Sequence, residues 1–411
     1  MTKRKQNWGR APWKVAFRAN AARLPEYAPT HVNVAIVGGG FAGLTAAAYL
    51  KRFNKTRSVL LLEAGRVGNG ASGRTGGMAL AQSGAGDLPG LGDVLKGYRK
   101  ILRELRVNAD LDLRGAWEIA RGVRSMEGKT VRPLRRSPID WSDSGRVRAV
   151  KLVPGGTVDP GKVVAGLARA AAHEGAMIAE QARVTGLEFG SPLRLRAELS
   201  RRGKISRRVV FADRVLLATN AGAIAGEILG GTSFGGAEYA GPKLTFALAT
   251  APLTKKQIAA LGMQSGRPFY SVDLPYLWGR MLKNGGMIFG SGLVPGFGEP
   301  LRNRGGRDAK EFWSGLERED VRRDESWQRL EALEQRVRGL HPVLSNVRVT
   351  HRWGGPILLT NSFVPVFRAH PKSKNVIALG GFSGHGVAQS VYLGKWAAEV
   401  LLGKRALPKW R

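Results

Sequence analysis

The sequence predicts an α/β fold, α+β overall, that combines a Rossmann-like βαβ unit with further runs of strands. Three observations support this prediction. Residues 32–63 read as strand, glycine turn, helix and strand, residues 375–402 repeat the first three of these parts, and the strands expected at 177–217 and 240–295 lack helices between them. Strands that alternate with helices form parallel sheets, whereas runs of strands form antiparallel ones. At 411 residues, the chain is long enough for two domains.

The stretch 32–63 contains the most specific motif of the chain. Gly38, Gly40 and Gly43 fit GxGxxG between an apolar strand at 32–37 and a helix at 44–52. The first glycine permits a tight turn, the second lets the backbone approach a pyrophosphate, and the third lets the helix pack on the strand. Glu63 ends the next strand, where a carboxylate accepts hydrogen bonds from ribose hydroxyls and disfavours a 2′-phosphate. The stretch therefore predicts a Rossmann-like dinucleotide-binding unit that does not take NADP.

Residues 64–82 follow this unit and contain six glycines among small and polar residues. A segment with such small side chains buries little apolar area in a core, but its backbone can lie along an extended cofactor. Its amides and the hydroxyls of Ser72 and Thr75 offer hydrogen bonds there.

Helices and strands can be assigned through the middle of the chain. The pattern predicts a helix at 92–106, strands at 110–114 and 147–153, and a helix that begins at Asp159 and Pro160 and ends near Gly175. A meander of strands follows, with its arginines on the solvent face. Its last strand, 213–219, includes Thr219 and runs into Asn220 and Gly222, whose backbone can approach the same cofactor.

The last third of the chain adds strands at 244–250 and 286–292 and a charged helix within 307–339. Trp327, Leu330, Leu333 and Val337 recur at helical spacing, which predicts core packing. The strand 375–379 then leads into a glycine turn at 380–386 and a final helix. That turn aims a helix N-terminus at an electron-rich group.

The charge is unusual, since 65 basic and 31 acidic side chains give +34. Such a field attracts nucleic acid, anionic lipid or an acidic protein. The alternative, which we favour, is that the arginines cover a solvated surface, because they follow no single stripe and accompany no nucleic-acid motif. Residues 1–30 are basic without a signal-peptide core, and no apolar run approaches the roughly 18 residues of a spanning helix. We therefore expect a soluble, cytoplasmic protein.

Three glycine-rich turns, each after a strand, suit one long ligand such as FAD. The segments VGGGFAGLTAAAYL, GASGRTGG, RVLLATNAG, WGGPILLT and GFSGHGVA together resemble the D-amino-acid oxidase-like family of FAD-dependent oxidoreductases. Within this family they are most similar to the γ-glutamylputrescine oxidase-like, amine-oxidising branch. The resemblance runs from about residue 30 to the end, and is weak at 230–340. It implies a basic N-terminal extension (1–30), a discontinuous Rossmann-like FAD-binding domain of the D-amino-acid oxidase type (31–90, 151–238 and 341–411) and a substrate domain with an antiparallel sheet (91–150 and 239–340).

The resemblance also implies which residues bind FAD. The ADP half would contact Gly38, Gly40, Phe41, Ala42, Gly43, Glu63 and Ala64, with Val184 at the adenine end. The pyrophosphate and the flavin would contact Arg66, Ala71, Ser72, Thr75, Gly76, Gly77, Met78, Thr219, Asn220 and Gly222. The pyrimidine end of the flavin would face Gly381, Ser383, Gly384, His385, Gly386 and Val387. The chain has no cysteine, and residues 64–82 contain no histidine, so we expect non-covalent FAD.

The implied reaction is oxidation of the C–N bond of an amine or amino acid to an imine by hydride transfer to the flavin. Because the flavin carries this chemistry, no catalytic acid or base is required. The candidates for a catalytic role are His385, Arg74 and Trp353, and the candidate substrate contacts are Tyr270, Tyr276 and Arg352. The six histidines show no metal spacing, so no metal is expected.

Two departures from sarcosine-oxidising relatives bear on the substrate and the electron acceptor. Those relatives place a carboxylate-binding lysine just after SGHG, where this chain has Val387 and Ala388. They also carry an oxygen-activating lysine in the strand matched by GMIFGSG, where Ile288 or Phe289 stands. A simple α-amino acid and fast oxidase behaviour are therefore not expected, and the acceptor is oxygen or another molecule. The alternatives are a basic flavin-fold protein that binds or modifies RNA, and a non-catalytic binder of nucleic acid or anionic surfaces.

Overall fold

The structure is a computed structural model that describes residues 7–19, 30–122, 130–201, 203–220, 239–291 and 324–410. Its described strands form two eight-stranded sheets and one two-stranded sheet. Strands and helices are numbered below in chain order. The small sheet pairs β3, Met78–Leu80, with β7, Gly155–Thr157.

The first sheet has the order β17-β18-β11-β1-β2-β8, and β9 and β10 extend it through β11. Its strands are β1 Thr30–Val37, β2 Val59–Leu62, β8 Met177–Ala179, β9 Ala182–Glu188, β10 Leu193–Arg201, β11 Lys204–Leu217, β17 Val366–His370 and β18 Ser373–Gly380. The strands β18, β11, β1, β2 and β8 run parallel. All four residues of β2 are buried, as a parallel strand covered on both faces requires.

Helices cover this sheet and include the predicted ones. They are α1 Phe41–Phe53, α2 Val94–Glu104, α3 Pro160–Glu174 and α6 Gly386–Leu401. The side chain of Asp159 caps α3 by accepting the Lys162 N–H at 2.9 Å, and Gly175 ends α3 in a left-handed conformation with φ 101°. The helix predicted from Asp159 and Pro160 is thus present with both of its ends.

The second sheet has the order β16-β12-β15-β14-β13-β4-β6-β5. Its strands are β4 Ala116–Ala120, β5 Asp140–Ser142, β6 Arg146–Val153, β12 Tyr239–Thr250, β13 Phe269–Ser271, β14 Leu277–Met281, β15 Met287–Ser291 and β16 Val349–Thr360. Two further helices are α4 Lys255–Ala260 and α5 Asp324–Gly339. Leu330, Leu333 and Val337 of α5 are buried in one core with Phe246 and Phe289 of the sheet. The face of the sheet that carries these two phenylalanines is called the outer face below.

Residues 7–19 form a strap that joins the parts of the molecule. Gly9 pairs with Trp353 of β16, and the indole N–H of Trp13 donates to Gly73 O at 2.8 Å. Farther along, Ala16 O accepts from Arg169 on α3 at 3.0 Å. This part of the predicted N-terminal extension therefore contacts β16 of the second sheet, the segment around Gly73 and the helix α3.

Three sequence-based assignments differ from the structure or lie outside it. The strand predicted at 110–114 is wrong, because Asp110 has φ 55° and only Asp112 forms an isolated bridge, to Thr157. β16 lies in the second sheet because it pairs with β12, although the predicted division placed residues 341–411 with the first domain. The first part of the helix predicted at 307–339 lies outside the described residues. Among the helices that the structure describes, none is long and apolar enough to cross a membrane.

Candidate active site

The parallel strands end at one edge of the first sheet, and the glycine turns meet there. The residues just beyond β1, β2, β11 and β18 are Gly38, Glu63, Ala218 and Gly381. The Gly38 N–H donates to Leu62 O at 2.9 Å, and the Ala218 N–H donates to Val37 O at 2.8 Å. The carboxyl edge of a parallel sheet is where such folds bind their ligands.

The GxGxxG turn is tight enough to require its glycines. Gly38 has φ 112°, and a Cβ on Gly43 would lie 2.0 Å from Gly38 O. A Cβ on Gly40 would lie 2.9 Å from Ser72 Oγ, which accepts the Phe41 N–H at 3.0 Å. The first turn of α1, including Ala42 and Gly43, presents backbone amides that have no acceptor within the helix. This end of α1 is therefore suited to phosphate oxygens.

The Glu63 carboxylate lies beside this turn. It accepts the N–H groups of Gly39 and Gly65, both at 2.8 Å. Burial raises the pKa of Glu63, while the two backbone N–H groups oppose that rise. The Ala182 N–H donates to Glu63 O at 2.8 Å, so β9, which contains Val184, begins next to the acid.

The loop 69–77 is held from both sides. Arg74 donates from Nε to Asn69 O at 3.1 Å and from NH1 to Gly9 O at 3.0 Å, and its guanidinium lies 5.3 Å from the centre of the Trp8 ring. The indole N–H of Trp353 donates to Arg74 O at 2.9 Å. Two of the predicted catalytic residues thus contact each other, and both contact the strap or the loop.

Arg280 of β14 was not singled out by the sequence. It is buried, its Nε donates to Gly76 O in a short hydrogen bond, and its NH1 donates to Met281 O at 3.2 Å. Its guanidinium lies 5.7 Å from the centre of the Trp13 ring. Burial lowers the pKa of Arg280 to about 10, so it stays a cation at neutral pH. A lone arginine in a strand carries no motif, and only the folded sheet shows that it reaches the loop.

The third glycine turn connects β18 to α6. The Gly381 N–H donates to Asn220 Oδ1 at 2.8 Å, which joins this turn to the end of β11. The Ser383 hydroxyl accepts the Thr360 N–H at 3.1 Å. His385 lies at the start of α6, and its Nδ1 lies 3.2 Å from Ser383 O. Burial lowers the pKa of His385, so the imidazole is neutral at neutral pH, and an Nδ1–H that donates to this carbonyl leaves Nε2 as an acceptor.

One row of residues crosses the second sheet on the face opposite the outer face. Successive members are directly paired across neighbouring strands, and paired residues point to the same side of a sheet. This inner row consists of Glu118, Tyr270, Trp278, Gly290, Ala247 and Trp353.

The inner row faces the loop at two points. Trp353 bonds to Arg74, as described above, and a Cβ on Gly76 would lie 2.1 Å from the Trp278 ring. The row therefore brings together two predicted residues, Tyr270 and Trp353, and adds two that the sequence did not identify, Glu118 and Trp278.

The remaining predicted residues are placed elsewhere. Arg352 points to the outer face, where it pairs with Glu334 of α5 and lies 5.8 Å from the centre of the Trp327 ring, because neighbouring residues of a strand alternate in direction. Burial raises the pKa of Tyr276, which directly precedes β14. Arg66 and Ala64 are exposed, and Gly222 lies outside the described residues.

A model of the DAO family, described as FAD dependent oxidoreductase, matches residues 33–400. The chain belongs to this family. It is 26% identical over 436 residues to gamma-glutamylputrescine oxidoreductase of Escherichia coli (strain K12), a match that covers 93% of this chain and 88% of that protein. It is 27% identical over 405 residues to the probable oxidoreductase OrdL of Rhizobium meliloti (strain 1021), which covers 90% and 83%. The predicted family is thereby confirmed, and its amine-oxidising branch stays a prediction to which the first of these relatives is similar.

Solved structures of flavoenzymes share the fold of this DAO-family protein. Glycine oxidase from Geobacillus kaustophilus aligns with a TM-score of 0.66 and 19% identity, covering 92% of this chain and 96% of the other. L-Proline dehydrogenase from P. horikoshii aligns with a TM-score of 0.66 and 18% identity, covering 93% and 96%. The predicted fold, a Rossmann-like domain with a further sheet, is confirmed.

Membership of the DAO family implies FAD, and the residues present fit it. The glycines at 38, 40 and 43 let the turn close tightly on itself before the first turn of α1, and Glu63 follows β2 at the ribose position of the unit. The Thr219 hydroxyl, at the same edge, is buried without a hydrogen-bond partner in the described part of the chain. An extended ligand along this edge would reach such a group.

Proposed function

We propose that this FAD-dependent oxidoreductase oxidises the C–N bond of an amine or an amino acid to an imine, which then hydrolyses. The observation that supports this reaction most directly is the inner row. Its aromatic rings at Trp278 and Trp353 contact the loop 69–77, and the Tyr270 hydroxyl and the Glu118 carboxylate lie farther along the same face. One relative and both structural neighbours named above have names that refer to an amine or to an amino acid.

In this proposal, FAD binds non-covalently along the edge of the first sheet. Gly38, Gly40, Phe41, Ala42, Gly43, Glu63, Ala64 and Val184 hold the ADP half. Arg66, Ala71, Ser72, Thr75, Gly76, Gly77, Met78, Thr219, Asn220 and Gly222 follow the pyrophosphate and the flavin. Gly381, Ser383, Gly384, His385, Gly386 and Val387 face the pyrimidine end. The N-terminus of α6 favours negative charge there, by an effect of about 0.3 to 1 kcal/mol at exposed sites.

FAD supplies the two-electron acceptor for the hydride equivalent of the substrate. The protein residues then have three tasks. The inner row excludes water and orients the amine, with Trp278 and Tyr270 as its walls. Arg280 and Arg74 fix the carbonyls and the path of the loop 69–77. Neutral His385 offers Nε2 as an acceptor of a hydrogen bond or a proton.

The nucleic-acid alternatives gain no support from the described arginines of the meander. Arg194 and Arg196 pair with Glu188 at 2.8 and 3.5 Å, and Arg207 lies 4.0 Å from Glu198. These side chains are exposed and alternate with buried residues, as on any solvated strand face.

The test is an anaerobic visible spectrum of the purified protein before and after addition of amines, N-methyl amino acids and D-amino acids. We expect an FAD spectrum that one of these classes bleaches, with the corresponding imine or its carbonyl product in solution. Reoxidation by air or by an added acceptor then identifies the acceptor. A protein that carries FAD but is bleached by none of these compounds would contradict the proposed reaction.

A further inference from the structure

We propose that Arg280 raises the reduction potential of the bound flavin, because it polarises the peptide between Gly76 and Gly77 and the Gly77 N–H then stabilises negative charge on the reduced ring. This inference rests on the proposed binding of FAD along the loop 69–77 and adds a positioning residue to it. Arg280 acts through the peptide and needs no contact with the substrate.

Arg280 of β14 reaches the loop as a buried cation. Its Nε donates to Gly76 O in a short hydrogen bond, and its NH1 donates to Met281 O at 3.2 Å. Trp13 of the strap lies against it, with the centre of the indole ring 5.7 Å from the guanidinium. A hydrogen bond from a cation is roughly twice as strong as one between neutral groups. The charge of Arg280 therefore acts first on the Gly76 carbonyl.

No direct ion pair neutralises this charge within the described residues. Burial lowers the pKa of Arg280 to about 10, and the more distant carboxylates of Asp159 and Asp110 oppose that fall. Asp110 is itself paired with Lys162 and Lys283, both at 2.7 Å. Arg280 therefore keeps its positive charge at neutral pH, and that charge stays beside the loop.

The peptide that joins Gly76 to Gly77 carries the effect of this charge to its other side. It is a trans peptide, in which the C=O and the N–H point in opposite directions. Because Arg280 bonds to Gly76 O, the Gly77 N–H points away from Arg280. A cation at the oxygen polarises the peptide and makes its N–H a stronger hydrogen-bond donor.

The Gly77 N–H has no good acceptor in the part of the chain that the structure describes. Gly77 is buried, and its N–H bonds there only to Thr75 Oγ1, at 3.5 Å, which is longer than the usual N–H···O distance of about 2.7 to 3.2 Å. By contrast, Gly77 O accepts the Val158 N–H at 2.9 Å. Buried backbone N–H groups are nearly always paired, so this one points to an acceptor from outside the chain. The proposed flavin offers ring nitrogen and carbonyl acceptors at this loop.

Such a donor favours the reduced flavin over the oxidised flavin. A hydride equivalent, which is one proton with two electrons, gives the neutral oxidised ring one negative charge. A polarised N–H in a buried site stabilises that charge more than it stabilises a neutral acceptor. Reduced FAD is therefore bound more tightly than oxidised FAD, and this difference in affinity raises the reduction potential of the bound flavin.

The experiment measures the midpoint reduction potential of the holoenzyme, by slow anaerobic reduction with xanthine and xanthine oxidase in the presence of a reference dye. Arg280→Gln keeps a hydrogen-bond donor and removes the charge, whereas Arg280→Lys keeps the charge. Arg148→Gln is the matched control, because Arg148 of β6 also donates to a backbone carbonyl, Leu134 O at 3.1 Å, but lies three strands away from β14 in the same sheet. Titration of each apoprotein with FAD gives the affinity for the oxidised flavin.

We expect Arg280→Gln to shift the equilibrium between reduced and oxidised flavin by about tenfold or more toward the oxidised form, which lowers a two-electron potential by about 30 mV. Arg280→Lys should lie closer to the wild type than Arg280→Gln does, and Arg148→Gln should match the wild type. If Arg280 only held the loop in place, Arg280→Gln would weaken the binding of both forms of FAD equally and leave the potential unchanged. That result would overturn the inference while the proposed amine oxidation stands.

The wild type supplies a second measurement that needs no variant. The potential of its bound FAD should be higher than that of free FAD measured with the same dyes. A potential at or below that of free FAD would overturn the inference, even if Arg280→Gln does not fold. A wild-type protein that binds no FAD would overturn both proposals.

Discussion

Replacement of Gly76 by alanine should weaken FAD binding, because the loop and the second sheet leave no room for a methyl group there. A Cβ at Gly76 would lie 2.1 Å from Trp278 Cζ3 and 2.4 Å from Cη2. The ring cannot retreat toward β15, where a Cβ on Gly290 would lie 2.1 Å from its other side. The loop must therefore move, which strains the bond from Arg280 to Gly76 O. Overpacking of this kind costs about 1 to 3 kcal/mol.

If the proposed loop contacts bind FAD, that cost appears as a dissociation constant about 5 to 150 times higher. The assay is titration of the apoprotein with FAD, followed by flavin fluorescence, with Gly70→Ala as the control. Gly70 belongs to the same segment, has φ −83° and would place a Cβ in open space. The double variant Gly76→Ala/Trp278→Leu should recover much of the lost affinity, since the two sites share one contact. Equal affinities for Gly76→Ala and Gly70→Ala would refute the reasoning.

Four further predictions concern the cofactor and the strap. Glu63→Gln should raise the dissociation constant of FAD about tenfold or more, because a charged acceptor is lost; an unchanged titration would contradict the assigned role. Acid precipitation should release the flavin into the supernatant, and flavin in the pellet would exclude non-covalent binding. Burial lowers the pKa of His385, so the stability that neutral His385 contributes is present above the unfolded histidine pKa of about 6.5 and is lost as the pH falls through the lower pKa of the folded protein. The free energy of unfolding of His385→Asn, measured by urea titration, should therefore fall less between neutral and acid pH than that of the wild type. Trp13→Phe removes the donor to Gly73 O and should reduce the free energy of unfolding by about 1 kcal/mol, measured by urea titration against the wild type.

Local patterns were sufficient to predict the first sheet and its glycine turns. The spacing of Gly38, Gly40 and Gly43 requires a turn between strand and helix, and Asp159 followed by Pro160 defines a helix start. The alternation of polar and apolar residues at 110–114 predicted a strand that is absent. Such alternation does not show whether a neighbouring strand is available for pairing.

The substrate side could not be predicted in the same way. The sequence predicts Tyr270 and Trp353 as site residues, but their common row depends on strand register across β4, β13, β14, β15, β12 and β16. Arg352 is adjacent to Trp353 in sequence and lies on the opposite face. Glu118 carries no signal until pairing places it beside Tyr270. Register between distant segments is set by tertiary packing, which one sequence does not reveal.

The strap has a consequence for the order in which the protein assembles. Gly9 pairs with Trp353, and the Gly354 N–H donates to Trp8 O at 2.7 Å, so the strap and its partner strand come from opposite ends of the chain. Contacts between segments so distant in sequence form slowly, because a long loop must close first. The strap can make these contacts only after β16 has been synthesised. The strap's support of the cofactor loop, through the bond from Trp13 to Gly73 O, is thus joined to a contact that only a nearly complete chain can make.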